Sequence, residues 1–285
     1  MSRNKVLQGN AMKESSHCES CPGNDEREEN PVHHPSYEIT TKCNLRCIYC
    51  YSIIAVKKGK APKPGYYGEI KNVKAITISQ FGEPLLAGID EVERVARRLK
   101  DISPDARLDL QTNGILLDER AVKRLEKFFD LAMVSLNAAS REKYLEITKF
   151  DGYETVKKNL RVLKESSIRG IIRTIYMPGI NDRDVFKIAE LSNSLEMEMF
   201  LQPLSVYNAE LMKKHGLDME RTESLIEFLE VSEKLKEITD LRIPGCIIVN
   251  VKRIIREYGR DCLRFIKRNA MANVPEIRRE WKFTI

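Results

Sequence analysis

The chain has 285 residues, 42% of them hydrophobic and 32% charged, with a net charge of +6. It holds no apolar run long enough to span a bilayer, and its opening MSRNKVLQGNAMKESSHCESC lacks the apolar stretch of a secretory signal. Membrane-spanning and secreted classes are therefore excluded as expectations, and the cytoplasm is the expected compartment. A reducing cytoplasm keeps thiols free, so metal ligation is the leading explanation for clustered members of the seven cysteines.

Residues 1–35 read as a polar leader that cannot pack a core alone, carrying a Cys18-x2-Cys21 pair. Apolar runs then predict strands at 37–41, 75–79, 107–111, 131–136, 170–176 and 198–202. Between them, helical periodicity covers 45–57, 88–100, 118–128, 141–164 with a break at Asp151-Gly152, and 182–194. The 88–100 pattern sets Ile89, Val92, Val95, Ala96 and Leu99 on one face. Strand–helix alternation of this kind predicts a parallel sheet covered by helices. Six strands between 36 and 205 fall short of a closed eight-stranded barrel, so a partial (β/α)6 barrel is expected. Beyond it, 206–285 reads as a helical extension, with helix at 220–239, an apolar run at 243–251 and helix at 252–267.

The densest chemical signal is Cys43-x3-Cys47-x2-Cys50 after the first strand. Thiolates are the ligands that iron–sulfur clusters prefer, and a four-iron cluster held by three of them keeps one iron open for chemistry. Zinc motifs of similar strength bring two CxxC pairs, or a pair with spaced histidines, whereas His33 and His34 lie side by side upstream. In parallel α/β folds ligands bind at the carboxyl ends of strands. Each of the six predicted ends carries a polar feature: the cysteine loop, Gln80-Phe81-Gly82-Glu83-Pro84, Thr112-Asn113-Gly114, Ser135-Leu136-Asn137, Arg173 and Gln202-Pro203.

Over 36–205 the sequence resembles the radical S-adenosylmethionine (radical SAM) superfamily, in CNLRCIYC, QFGEPLL, TNG and VSLNAAS. The resemblance implies a partial barrel, a [4Fe-4S] cluster on Cys43, Cys47 and Cys50, and reductive cleavage of S-adenosylmethionine to a hydrogen-abstracting 5′-deoxyadenosyl radical. It also implies cofactor contacts. Gly82 and Glu83 correspond to the family motif that binds the cofactor's amino group, with Phe81 where a glycine usually stands. Arg173 corresponds to the carboxylate contact, Ser135 and Asn137 to ribose contacts, and Tyr49 to an aromatic residue beside the adenine. Thr112, Asn113 and Gln202 are expected neighbours of the same ligand. A one-electron reductant such as ferredoxin or flavodoxin is the implied partner.

Four cysteines remain: Cys18, Cys21, Cys246 and Cys262. Four thiolates would complete a second [4Fe-4S] cluster; zinc with His17, His33 or His34, or no metal, are the other readings. The residues expected to read the substrate lie in the leader, the 57–74 loop and 206–285, and the substrate itself is unidentified. Residues 241–285 carry eleven Lys/Arg against four Asp/Glu, and 57–74 carry six lysines against one acid. Such basic stretches suit an acidic partner, or nucleic acid in an RNA-modifying variant of the same chemistry, although no aromatic-interleaved basic motif accompanies them. An electron-transfer or structural iron–sulfur protein is the alternative of another class, and it leaves Gly82, Glu83, Ser135, Asn137 and Arg173 without a role.

Overall fold

A computed structural model describes residues 12–25, 33–272, 277 and 279–285. Its strands in chain order are β1 (Lys13–Glu14), β2 (Ser36–Glu38), β3 (Gly65–Tyr67), β4 (Ala75–Ile78), β5 (Arg107–Thr112), β6 (Leu131–Ser135), β7 (Arg169–Tyr176), β8 (Glu198–Pro203), β9 (Leu241–Ile243) and β10 (Trp281–Phe283). They form one open sheet in the order β1-β9-β8-β7-β6-β5-β4-β2-β3-β10. Every pairing from β1 to β2 is parallel, while β3 and β10 close the other side as antiparallel strands.

All six predicted strands are present, with ends shifted by a few residues. Sequence reading missed the additions: the leader contributes β1 and the C-terminal extension contributes β9, and these two pair with each other. The 57–74 loop folds back as β3 against β2, and β10 pairs with it in turn. The sheet thus gains four strands beyond the expected six, β1 and β9 on one side and β3 and β10 on the other.

The helices are α1 (Tyr51–Lys57), α2 (Ile89–Ile102), α3 (Glu119–Leu125), α4 (Arg141–Thr148), α5 (Tyr153–Lys164), α6 (Asp184–Ser194), α7 (Ala209–Lys214), α8 (Met219–Glu223), α9 (Leu225–Lys236) and α10 (Gly245–Tyr258). The helix expected from residue 45 starts only at Tyr51, because the cysteine loop is pinned open by other backbone. Arg46 N and Ile48 N donate to the carbonyls of Thr148 and Ile147 at 2.8 and 3.0 Å. The expected break near Gly152 is real: Lys149 ends α4 in the left-handed region, and a Cβ at Gly152 would lie 2.3 Å from Ile115. Asp118 and Ser140 cap α3 and α4 by accepting from Ala121 N and Lys143 N. The helix expected over 252–267 starts earlier, at Gly245, and stops where Gly259 takes φ +78°.

Alternation along the strands sorts the interior into two layers. Leu108, Leu110, Val134, Ile172 and Leu201 pack outward against the helices in the main core. The opposite face of the sheet holds a small apolar cluster of Leu131, Met133, Ile171 and Phe200, against which Cys18 packs. Fully burying one such leucine is worth about 2 kcal/mol. Main-core packing therefore fixes the barrel, and its concave face is left free for chemistry.

The leader docks onto that face. Ser15 Oγ donates to Glu198 Oε1 at 2.5 Å and Ser16 N to the same carboxylate at 3.1 Å. His17 Nδ1 sits 2.7 Å from Asp109 Oδ2, and Arg107 Nε donates to Asp109 Oδ1 at 2.6 Å. Burial raises the Asp109 carboxyl, but the hydrogen bonds and charges of His17 and Arg107 outweigh it and hold the group below its ordinary value. No helix among the described residues is long and apolar enough to cross a membrane.

Candidate active site

Two cavities meet on the concave face. The outer one, about 570 Å³, is lined by Cys43, Cys47 and Cys50, by Gly82, Thr112 and Asn113, and by Ser135, Asn137 and Arg173. The inner one, about 440 Å³, runs from Cys50 and Tyr49 down to His17, Cys18, Cys21 and Cys246. Their common wall includes Tyr49, Cys50, Gln111, Ser135, Asn137 and Arg173. The sequence-predicted strand ends therefore do converge.

The cysteine loop precedes α1, with Cys50 at its N-terminal boundary. Leu45 N donates to Cys43 Sγ at 3.4 Å, and Asn113 Nδ2 lies 3.7 Å from the same sulfur and 2.8 Å from Asn44 Oδ1. Burial pushes all three thiols above their ordinary value; a bound cation reverses that preference by favouring thiolate. Among the described residues no Asp, Glu or His lines the outer cavity. Among the described residues the charged-ligand donor set is thus three sulfurs, which fits a cluster whose fourth iron takes a ligand from outside the protein. Among the described residues no three His, Cys, Asp or Glu side chains gather tightly enough to hold a single ion. Thiols arranged around a four-iron cubane need not meet that condition, since the cluster itself stands between them.

Gly82 is held by its surroundings. Its φ is +68°, and a Cβ there would lie 2.3 Å from Thr40 O and 2.7 Å from Lys42 O. The next residue's N–H bonds Lys42 O at 2.8 Å, so this turn is laced to the cysteine loop. Glu83 finds its hydrogen-bond partners within the protein. Its carboxylate is fully buried, accepts from Leu85 N, Thr112 Oγ1 and Asn113 N, and does not line either cavity. Every donor around it belongs to the protein, which turns the side chain inward. Burial pushes its carboxyl up to about 7.

Further along, Asn137 Nδ2 donates to Tyr49 Oη at 2.6 Å while Asn137 Oδ1 accepts from Ile175 N at 2.7 Å. Arg173 is braced by Gln202 Oε1 at 2.6 Å and Gln111 Oε1 at 3.2 Å, leaving guanidinium N–H groups toward both cavities. Gln202 lines only the inner cavity, so its place is behind Arg173. Gln111 and Asp109 were not singled out from sequence, and Tyr51 of the cysteine loop's apolar surroundings bonds Gln80 O through its hydroxyl. The signal was present in 107–111, where Arg107, Asp109 and Gln111 alternate with Leu108 and Leu110; a polar concave face needs that alternation.

Of the four remaining cysteines, the structure gathers three. Cys18, Cys21 and Cys246 line the inner cavity, and His33 Nδ1 lies 3.6 Å from Cys21 Sγ. Burial pushes the Cys18 thiol up to about 12, with Cys21 and Cys246 close enough to add to the effect. Cys262 does not join them. It falls in the short 3-10 turn Arg260–Arg264 beyond α10, where its Sγ donates to Gly259 O at 2.8 Å. About three further turns of α10 and the stop at Gly259 carry it away from the chamber that Cys246 lines. His34, 3% exposed, lines the same chamber with its Nε2 unpartnered, and burial pulls its imidazole down to about 4.

An open parallel barrel with a three-thiol loop at the first strand end and polar groups at the following ends defines a cluster-dependent enzyme class. The Radical SAM superfamily model matches residues 37–192, and the chain belongs to that family. It is 37% identical over 270 residues to an uncharacterized protein of Methanocaldococcus jannaschii, covering 93% of this chain and 90% of that one. It is 31% identical over 180 residues to the GTP 3',8-cyclase of Chlorobaculum tepidum, covering 58% and 52% respectively. The chain thus spans about half the length of the cyclase it matches. In fold it is similar to Streptococcus suis SuiB bound to precursor peptide SuiA (TM-score 0.55, 12% identity, 77% of this chain and 50% of that one). It is likewise similar to anSMEcpe with bound AdoMet and a peptide (TM-score 0.54, 17% identity, 79% and 66%). The protein is a radical SAM enzyme, using a [4Fe-4S] cluster and S-adenosylmethionine, and such enzymes draw their electron from an external donor.

Proposed function

We propose that this enzyme abstracts hydrogen from a small polar substrate held in the inner chamber, between the S-adenosylmethionine site and Cys18, Cys21 and Cys246. When bound, the cluster and S-adenosylmethionine supply the electron transfer and the 5′-deoxyadenosyl radical. The chain's own residues bind, orient and enclose. Cys43, Cys47 and Cys50 hold the cluster. The Gly82 backbone lies against the loop that carries it, close enough to receive the cofactor's amino group. Arg173, braced by Gln111 and Gln202, faces the carboxylate, while Ser135, Asn137 and Tyr49 line the nucleoside side. Glu83, Thr112 and Asn113 hold the turn between those elements.

In this reading residues 36–205 form the catalytic barrel, and the leader and the 206–285 extension wall the chamber. Cys18, Cys21 and Cys246 hold a second [4Fe-4S] cluster there, with His33 beside Cys21. The external donor is a ferredoxin or flavodoxin, and the cytoplasm is the compartment that keeps the seven thiols reduced. The observation that carries the substrate assignment is the shared wall: the inner chamber opens onto the residues of the cofactor cavity and is floored by the leader.

The test uses fractions of small molecules, RNA and protein from cells grown in deuterium oxide. Reduced, cluster-loaded enzyme and unlabelled S-adenosylmethionine are added to each. Deuterium should enter 5′-deoxyadenosine with the small-molecule fraction. Transfer solely from RNA or protein would contradict the proposal.

A further inference from the structure

The outer cavity has a rim whose charge is one-sided. Arg46 of the cysteine loop, Lys57 at the end of α1 and Lys149 just past α4 all line it and are all exposed. They come from three separate elements, and among the described residues no Asp or Glu lines the cavity with them. Among the described residues none of the three has a carboxylate partner, although this surface is otherwise rich in ion pairs such as Lys143–Glu146 and Arg141–Asp151. Beside them stand two exposed apolar side chains, Val56 at 49% and Leu211 at 36%. Cys43, also exposed, brings the cluster loop to the same opening.

Unpaired cations converging on one opening repel each other and cost stability unless something anionic is to be met there. We propose that this rim is the docking site of an acidic one-electron carrier protein, with Arg46, Lys57 and Lys149 steering it and Val56 and Leu211 giving a small dry contact. The proposal rests on the radical SAM reading and names where that chemistry's electron enters. In the step, the carrier loses one electron and the cluster held by Cys43, Cys47 and Cys50 gains it, with no bond made or broken. A positive field around a recessed acceptor raises the encounter rate by ten-fold or more and makes it fall steeply with salt. The geometry puts that field at the exposed edge of the cluster loop, whereas the inner chamber's walls face the substrate.

The test uses cluster-loaded enzyme with S-adenosylmethionine and two reductants: reduced flavodoxin, an acidic carrier, and dithionite, a small ion that does not need the docking surface. In the doubly reversed Lys57→Glu, Lys149→Glu enzyme, 5′-deoxyadenosine formation with limiting flavodoxin and flavodoxin binding measured by calorimetry should both drop by about ten-fold, and their salt dependence should flatten. The milder Lys57→Ala, Lys149→Ala enzyme should move the same way by a smaller factor. Dithionite-driven cleavage should stay at the unaltered enzyme's rate, and Lys123→Glu on α3 should change neither. An unchanged flavodoxin rate, or an equal fall with both reductants, overturns the docking site. The equal fall would mean that the rim serves the carboxylate of S-adenosylmethionine or the substrate. Failure of the radical SAM reading shows up separately, as no cleavage by unaltered enzyme with dithionite.

Discussion

Asn113 donates its backbone N–H to Glu83 Oε2 at 2.7 Å, which ties the turn after β5 to the turn after β4 at full burial. The carboxylate that the family resemblance sets beside the cofactor's amino group also ties together two of the strand ends that shape the outer cavity. Gly82 and the cysteine loop inherit their positions from that tie.

Replacing Glu83 tests it. Glu83→Gln puts an amide N–H₂ among three donors, and should destabilise the fold by about 2 kcal/mol in denaturant unfolding.

The pH dependence has a definite sign. Burial lifts the Glu83 carboxyl from 4.5 to about 7, so between those values the folded chain keeps a proton that the unfolded chain has lost. The associated stability is fully present below 4.5 and fades as pH rises toward 7. The cost of Glu83→Gln should therefore be larger near pH 5 than near pH 7.5, by about 2 kcal/mol. An equal cost at both, measured on metal-free protein, would show that the carboxyl titrates normally.

Asp109 is the anchor for the leader. It is buried, receives Arg107 twice and lies against His17. Asp109→Asn removes the buried charge that Arg107 and His17 face, leaving Arg107 the His17 carbonyl and a 3.7 Å approach to Glu19, and should cost about 3 kcal/mol. The loosened leader should also become more susceptible to proteolysis between residues 12 and 25, read by mass spectrometry of the fragments.

Metal content separates the distal cysteines. Cys246→Ser should lower iron in reconstituted enzyme from about eight to about four atoms per chain, whereas Cys262→Ser should leave it at about eight. A loss with Cys262→Ser would return that residue to the ligand set.

The main strands were legible because central parallel strands are short continuous apolar runs, as in 131–136 and 170–176. Their polar ends named most of the residues that now line the outer cavity. β1 was not legible: Lys13–Glu14 is polar and two residues long, and exists only because Leu241–Ile243 lies alongside to pair with it. The distal cysteines show the same limit. Sequence could count Cys246 and Cys262 as a pair, but only the course of α10 and the stop at Gly259 decide which of them faces the chamber. Side-chain direction was equally hidden for Glu83, whose identity matched the family while its donors turned it away from the cavity.

The most direct measurement is product analysis of anaerobically reconstituted, dithionite-reduced enzyme incubated with S-adenosylmethionine. The unaltered protein should form 5′-deoxyadenosine and methionine, and Cys50→Ser should form neither. Absence of both products from unaltered protein that carries its full iron complement would contradict the account.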